Sequence, residues 1–194
     1  MINHIEGKLI EKTPTYAVIE CGGVGYLLNI SLNTFSKISD NEKCRLYAHL
    51  AIREDAHTLY GFADIQERAM FRQLISVSGV GASTARMILS SLSPSEIQQA
   101  ILTGNVSQLK SVKGIGEKSA QRIIIDLKGK IGKDGAGTEF LTTPGNTMKN
   151  EALAALEMLG FARNTADKAL DKALQSDISI GSVEELIKQA LKNL

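Results

Sequence analysis

An internal repeat constrains this chain more than any other feature. Leu74-Ile75-Ser76-Val77-Ser78-Gly79-Val80-Gly81 is followed by Ala82-Ser83-Thr84-Ala85-Arg86-Met87-Ile88-Leu89. Thirty-five residues later comes Leu109-Lys110-Ser111-Val112-Lys113-Gly114-Ile115-Gly116, then Glu117-Lys118-Ser119-Ala120-Gln121-Arg122-Ile123-Ile124. Each copy reads as a helix, a Gly-apolar-Gly turn and a second helix opening on small residues, which is the helix–hairpin–helix pattern. The first glycine permits a positive φ between the helices. Val80 or Ile115 is expected to plug the turn into the core. The second glycine has no side chain, so its N–H can approach an anion at the helix N-terminus, where free N–H groups and the macrodipole favour negative charge. Contacts of this kind to a nucleic-acid backbone set register and do not read sequence. One such turn is a weak signal; two copies at a fixed offset are a strong one.

Charge points to the same segment. The net charge is only +1, but residues 64–133 hold ten Lys+Arg against five Asp+Glu, while residues 1–63 are net −1 and residues 134–194 net −3. A basic middle between acidic ends fits an anionic partner, although charge alone does not separate this from a solvated basic face. The candidate DNA-binding residues are Gly79, Val80, Gly81, Ala82, Ser83 and Thr84 in the first copy, and Gly114, Ile115, Gly116, Lys118, Ser119 and Arg122 in the second. Lys128 adds further charge. Aromatic residues are 5% of the chain and Trp is absent, which argues against stacking platforms for single-stranded bases.

The flanks complete an α+β multidomain chain. Short runs at Lys8–Lys12, Tyr16–Cys21, Tyr26–Ser31, Arg45–Ile52 and Thr58–Phe62, with turn signals between them, predict a five-stranded OB-type β-barrel over residues 1–63. Asp64-x-x-Glu67 and Ser93-Pro94-Ser95-Glu96 are helix starts, so residues 64–130 read as an all-α domain of four or more short helices and one longer one. Residues 131–148, rich in Gly and Thr, read as a mobile, protease-sensitive linker. Residues 149–194 read as a three-helix bundle, with one face on Leu153, Leu156 and Leu159 ended by Gly160, a second on Ala166, Ala169, Leu170, Ala173 and Leu174, and a third helix started by Ser182 and Glu185 and carrying Leu186, Ile187, Ala190, Leu191 and Leu194.

Several chemistries find no support. Gly114-Ile115-Gly116-Glu117-Lys118-Ser119 resembles a phosphate-binding P-loop, but Glu117 stands where that motif requires Gly before the Lys, and no strand signal precedes it. Work driven by ATP would have to come from a partner. His4, His49 and His57 are scattered, with no ligand spacing to Cys21 or Cys44, so no metal or other cofactor is expected. The two cysteines read as thiols in a reducing cytoplasm. There is no secretory leader and no apolar run of membrane-spanning length, so a cytoplasmic location without membrane contact is expected. Glu54 and Asp55 taken alone read as a solvated acidic turn.

Taken in order, these segments resemble the RuvA family of bacterial Holliday junction branch migration subunits over essentially the whole chain. The resemblance is carried by Gly22-Gly23-Val24-Gly25-Tyr26, by Arg53-Glu54-Asp55-Ala56 through Leu59-Tyr60-Gly61-Phe62, by the two Gly-apolar-Gly hairpins and by Leu159-Gly160-Phe161. It implies a non-catalytic subunit, active in recombination and repair, that holds a four-way DNA junction open and square through sequence-independent backbone contacts. It implies a homotetramer or a double tetramer, an acidic pin at Glu54 and Asp55, a C-terminal UBA-like bundle that binds the RuvB motor, and the RuvC resolvase as a further partner. Leu159, Gly160, Phe161, Leu186 and Ile187 are the candidate motor contacts. Many family members carry a basic residue just after the first hairpin, where this chain has Ala82-Ser83-Thr84. The competing readings are a generic duplex-DNA binder, a structure-specific nuclease subunit or glycosylase on the same hairpins, and a pure protein adaptor built on residues 149–194. Asp126 is the one acidic residue at a distance suggestive of a glycosylase.

Overall fold

A computed structural model describes residues 2–39, 42–131, 147–175 and 181–194. The expected linker at 131–148 lies almost wholly outside the described residues. The chain divides into two compact units, Met1–Gly137 and Thr138–Leu194. The barrel and the helical domain both lie within the first unit.

The barrel consists of β1 (His4–Lys12), β2 (Tyr16–Cys21), β3 (Val24–Asn29), β4 (Lys43–Ile52) and β5 (His57–Phe62). It closes in the order β1-β2-β3-β5-β4, with β3 and β5 parallel and the other pairs antiparallel. This is the expected OB-type barrel. It encloses Ile5, Ala17, Ile19, Leu28, Ile30 and Leu46. β1 pairs with both β2 and β4, and its register shifts between Leu9 and Glu11. The strand passes so close to β2 that a Cβ on Gly7 would lie 2.0 Å from the Glu20 carbonyl oxygen, so no other residue fits there.

One element departs from the sequence reading. The chain leaves β3 at Asn29 and forms a short helix, α1 (Leu32–Lys37), where the pattern suggested only a strand end. Ser31 starts it by accepting a hydrogen bond from Thr34 N at 3.0 Å. Six residues are too few for a helical period to show in sequence.

The helical domain contains α2 (Ile65–Ile75), α3 (Ala82–Ser91), α4 (Pro94–Thr103), α5 (Val106–Lys110) and α6 (Glu117–Ile131). Asp64 caps α2, accepting from Glu67 N at 2.8 Å. Ser93 and Glu96 form a reciprocal capping box on α4 with Pro94 in its first turn. Helix α2 also fastens this domain to the barrel. Phe71 is fully buried, its ring centroid 5.0 Å from Tyr60 and 4.9 Å from Phe62. Arg68 donates to the Asn3 carbonyl at 2.8 Å and to Asn3 Oδ1 at 2.6 Å, and lies over the Tyr47 ring. Glu67 is fully buried and accepts hydrogen bonds from the hydroxyls of Ser31 and Thr34. Each hydroxyl in turn accepts from a backbone N–H: Thr34 N for Ser31, and Ala63 N at 3.1 Å for Thr34.

In the second unit, α7 (Thr147–Met158), α8 (Arg163–Gln175) and α9 (Val183–Leu191) pack around Ala152, Leu153, Leu156, Ala166, Leu170, Leu186 and Ala190. Four positions depart from the expected faces, Leu191 and Leu194 at the chain's end being exposed along with two others. Leu159 follows the end of α7, where Gly160 turns the chain at φ 98°, and it is 62% exposed. Leu174 is also exposed.

Burial raises the Glu67 carboxyl above its ordinary range, against the pull of its two hydroxyl donors. A raised native value means stability that is complete below the unfolded value and lost as pH rises through the native one. Urea unfolding across a pH series should therefore show native stability falling over that interval, with Glu67→Gln flattening that part of the profile. Glu67→Ala leaves two hydroxyls without their acceptor and should cost about 3 kcal/mol.

Candidate nucleic-acid interface

The repeat folds as two congruent hairpins. In the first, α2 ends at Ile75, Val80 N bonds the Val77 carbonyl at 3.0 Å, and α3 begins at Ala82. In the second, α5 ends at Lys110, Ile115 N bonds the Val112 carbonyl at 3.1 Å, and α6 begins at Glu117. Gly79 and Gly114 occupy the left-handed region at φ 88° and 89°. The buried positions repeat as well: Leu74, Val77, Val80, Ala85, Ile88 and Leu89 have buried counterparts at Leu109, Val112, Ile115, Ala120, Ile123 and Ile124. The 35-residue period is therefore a core period, and Val80 and Ile115 are the plugs that hold each turn down.

The turns leave their polar groups outward. Gly81 forms the N-cap of α3 with no side chain closing it, so the first N–H groups of the helix remain available to an anion. A Cβ on Gly116 would meet nothing within 4 Å, which leaves open approach to the start of α6. Ser83 and Lys118 are exposed, and Thr84 and Ser119 half-buried, whereas Ala82 is buried and helps pack α3. Arg122 is exposed, with Asp126 3.9 Å away.

The arginine that follows each hairpin does different work in the two copies. Arg86 donates to the Thr15 carbonyl at 3.0 Å and to Asn29 Oδ1 at 2.9 Å, both on the barrel, so it anchors α3. It lies five residues after Gly81, and Arg122 lies six after Gly116. One residue rotates a side chain by about 100° around a helix, enough to turn one arginine to the barrel and leave the other in solvent.

The acidic pair sits at the tip of the β4–β5 connection, where Arg53 N bonds the Ala56 carbonyl at 2.9 Å. Glu54 and Asp55 are both exposed. The neighbouring Arg53 reaches toward the first hairpin: a Cβ on Gly81 would lie 3.9 Å from its Nη2. Arg53 does not stand out in the sequence, since 28 residues separate it from Gly81. Barrel closure brings this cation to the first hairpin, whose own Arg86 is committed to the barrel.

At the second hairpin, Lys110 Nζ donates to Glu117 Oε2 at 2.8 Å across the turn, and this contact holds the carboxyl below its ordinary range. In the second unit, Leu159 and Phe161 reach solvent around the turn at Gly160. The candidate motor contact Leu186 lies in α9. It is fully buried in the bundle, and Ile187 packs partly against the same core, so these two residues hold α9 in place.

The chain matches three family models: RuvA N terminal domain over residues 1–61, SAM-like helix-hairpin-helix tandem over 71–129, and RuvA, C-terminal domain over 147–194. It is 56% identical to a protein of Christiangramia forsetii, over the full length of both. It is 50% identical to proteins of Flavobacterium psychrophilum and Bacteroides fragilis, again over the full length of each. All three relatives carry the name Holliday junction branch migration complex subunit RuvA.

Gly79→Ala and Gly114→Ala each force a Cβ into the left-handed region. Each should cost roughly 1–2 kcal/mol in urea unfolding. Gly116→Ala, which meets open space at ordinary φ, should cost well under 1 kcal/mol.

Proposed function

The chain belongs to the RuvA family, and from that membership we propose that it is the non-catalytic subunit that recognises a four-way DNA junction and recruits a RuvB-type ATPase for branch migration. The observation that carries this reading is the pair of congruent hairpins, each ending in a glycine at the start of the next helix. Two such turns hold one duplex arm by two backbone phosphates and ignore its sequence. Four copies around a four-fold axis, or eight in a double tetramer, hold four arms in a square.

The acidic loop supplies what a duplex binder lacks. Glu54 and Asp55, exposed at the barrel's loop tip, lie at the crossover and repel its phosphates, which keeps the centre open. Arg53 neutralises an arm phosphate at the first hairpin, the role that a residue just past that hairpin fills in many family members. One short loop thus attracts phosphate on one side and repels it on the other. In the second unit, Leu159, Gly160 and Phe161 form the surface for the motor, and RuvC gains or loses the junction according to whether one or two tetramers cover it.

Native gels with a synthetic four-way junction and a linear duplex of equal arm length, run over a salt series with Mg²⁺, test the reading. Strong preference for the junction is expected, without cleavage and without ATP. Equal affinity for both would reduce the protein to a generic duplex binder, and cleavage products would make it a nuclease. Changing Glu54→Gln and Asp55→Asn together should narrow the preference by strengthening duplex binding. Arg53→Ala should weaken junction binding and lower the slope of log affinity against log salt by about one unit.

A further inference from the structure

The two hairpins are alike in their cores and unlike at one pair of positions. Across the first turn, Ile75 packs partly against the core and Ala82 is buried. The equivalent positions across the second turn are Lys110 and Glu117, joined by the 2.8 Å ion pair. The substitution is reciprocal: an apolar pair in one copy stands where an ion pair stands in the other. Both charged side chains are substantially exposed, so the pair lies on the surface, at the mouth of the turn.

Glu117 is an unusual residue for that place. It is the first residue of α6, in the turn whose free N–H groups and positive dipole end would receive a phosphate. A carboxylate there competes with the phosphate for the same field. Lys110, at the end of α5, reaches across and pairs with it. The other cations of this copy, Lys113, Lys118 and Arg122, are exposed and make no ion pair with Glu117.

We propose that Lys110 and Glu117 form a grip-setting pair at the second hairpin, in which Glu117 is a built-in competitor of the DNA phosphate and Lys110 is the positioning residue that draws it aside. The proposal rests on the reading of residues 114–119 as a phosphate site. It makes the two grips unequal. The first hairpin holds its phosphate with backbone N–H groups and Arg53, with no acid in the first turn of α3. The second holds through a site that carries its own anion, and therefore releases more readily. A duplex arm that must advance during branch migration needs one contact that yields before the other.

A double-mutant cycle on the full chain tests this, with a synthetic four-way junction as probe and affinity measured over a salt series. Glu117→Gln removes the competitor and frees Lys110. Junction binding should tighten on the order of five-fold, and the log–log salt slope should steepen by up to about one unit. Lys110→Met leaves the carboxylate unpaired at the helix start and should weaken binding by a similar factor. In the Glu117→Gln background there is no carboxylate to draw aside, so Lys110→Met should change affinity less than about two-fold. Equal effects of Lys110→Met in both backgrounds would overturn the proposal, because Lys110 would then be an independent phosphate contact. Unchanged or weaker binding by Glu117→Gln would also overturn it. Urea unfolding of each variant separates loss of fold from loss of grip. The linear duplex serves as a second probe: if the wild type shows no junction preference but the cycle still couples on duplex, the junction reading fails and the grip-setting pair stands. If the preference is present and the cycle is additive, the pair fails and the junction reading stands.

Discussion

The arrangement of the first unit depends on a carboxylate with no cation in hydrogen-bond contact. Glu67 is buried where the barrel meets the helices, and two hydroxyls, from Ser31 capping α1 and Thr34 within it, satisfy it. Burying a carboxylate is costly unless it is well hydrogen-bonded. Here each donor is itself fixed by a backbone N–H, so two bonded groups, a hydroxyl and an N–H, stand on either side of the acceptor. One residue along, Arg68 bonds Asn3 just before the first strand, and Phe71 packs on Tyr60 and Phe62 of β5 one turn later. Asn33 adds a further link from α1 to the Leu89 and Leu92 carbonyls at the end of α3. The acidic loop and the first hairpin belong to different parts of the chain. They keep a fixed spacing because this seam makes barrel and helices one body.

Much of the fold was legible because it is periodic or locally capped. The repeat announced itself through glycines at a fixed offset, and the same offset relates the buried residues of both copies. Asp64, Ser93 and Ser182 each accept a hydrogen bond where a cap was expected. Alternation in short runs was enough to count five strands. Helix α1 was not legible, since it is shorter than two helical turns. Glu67 read as part of a start signal, and its backbone does serve that cap, but the side chain turns to α1 instead. Nothing local in D-x-x-E distinguishes those two outcomes.

The candidate site divides along the same line. Backbone features could be read from residue type, because only glycine suits φ near 90° and only a missing side chain leaves the helix start open. Side-chain features could not, because they depend on contacts made across the fold. Arg86 looked like half of a basic repeat and is committed to the barrel. Arg53 looked like a flanking residue and reaches the first hairpin. Leu186 stood among the candidate motor contacts and is core. In a bundle this small, a helix must spend nearly all of its apolar face on internal contacts.

Barrel closure has a consequence for how copies of this unit can meet. An open sheet offers its edge strands to any neighbour, and association can proceed through backbone hydrogen bonds with little regard to side chains. Here β3 pairs with β5 and β4 pairs with β1, so among the described residues the ladder returns on itself. Copies that meet would do so mainly through side-chain surfaces. Such surfaces discriminate by shape and can close a ring at a defined number of subunits, whereas a strand edge would keep adding members without limit.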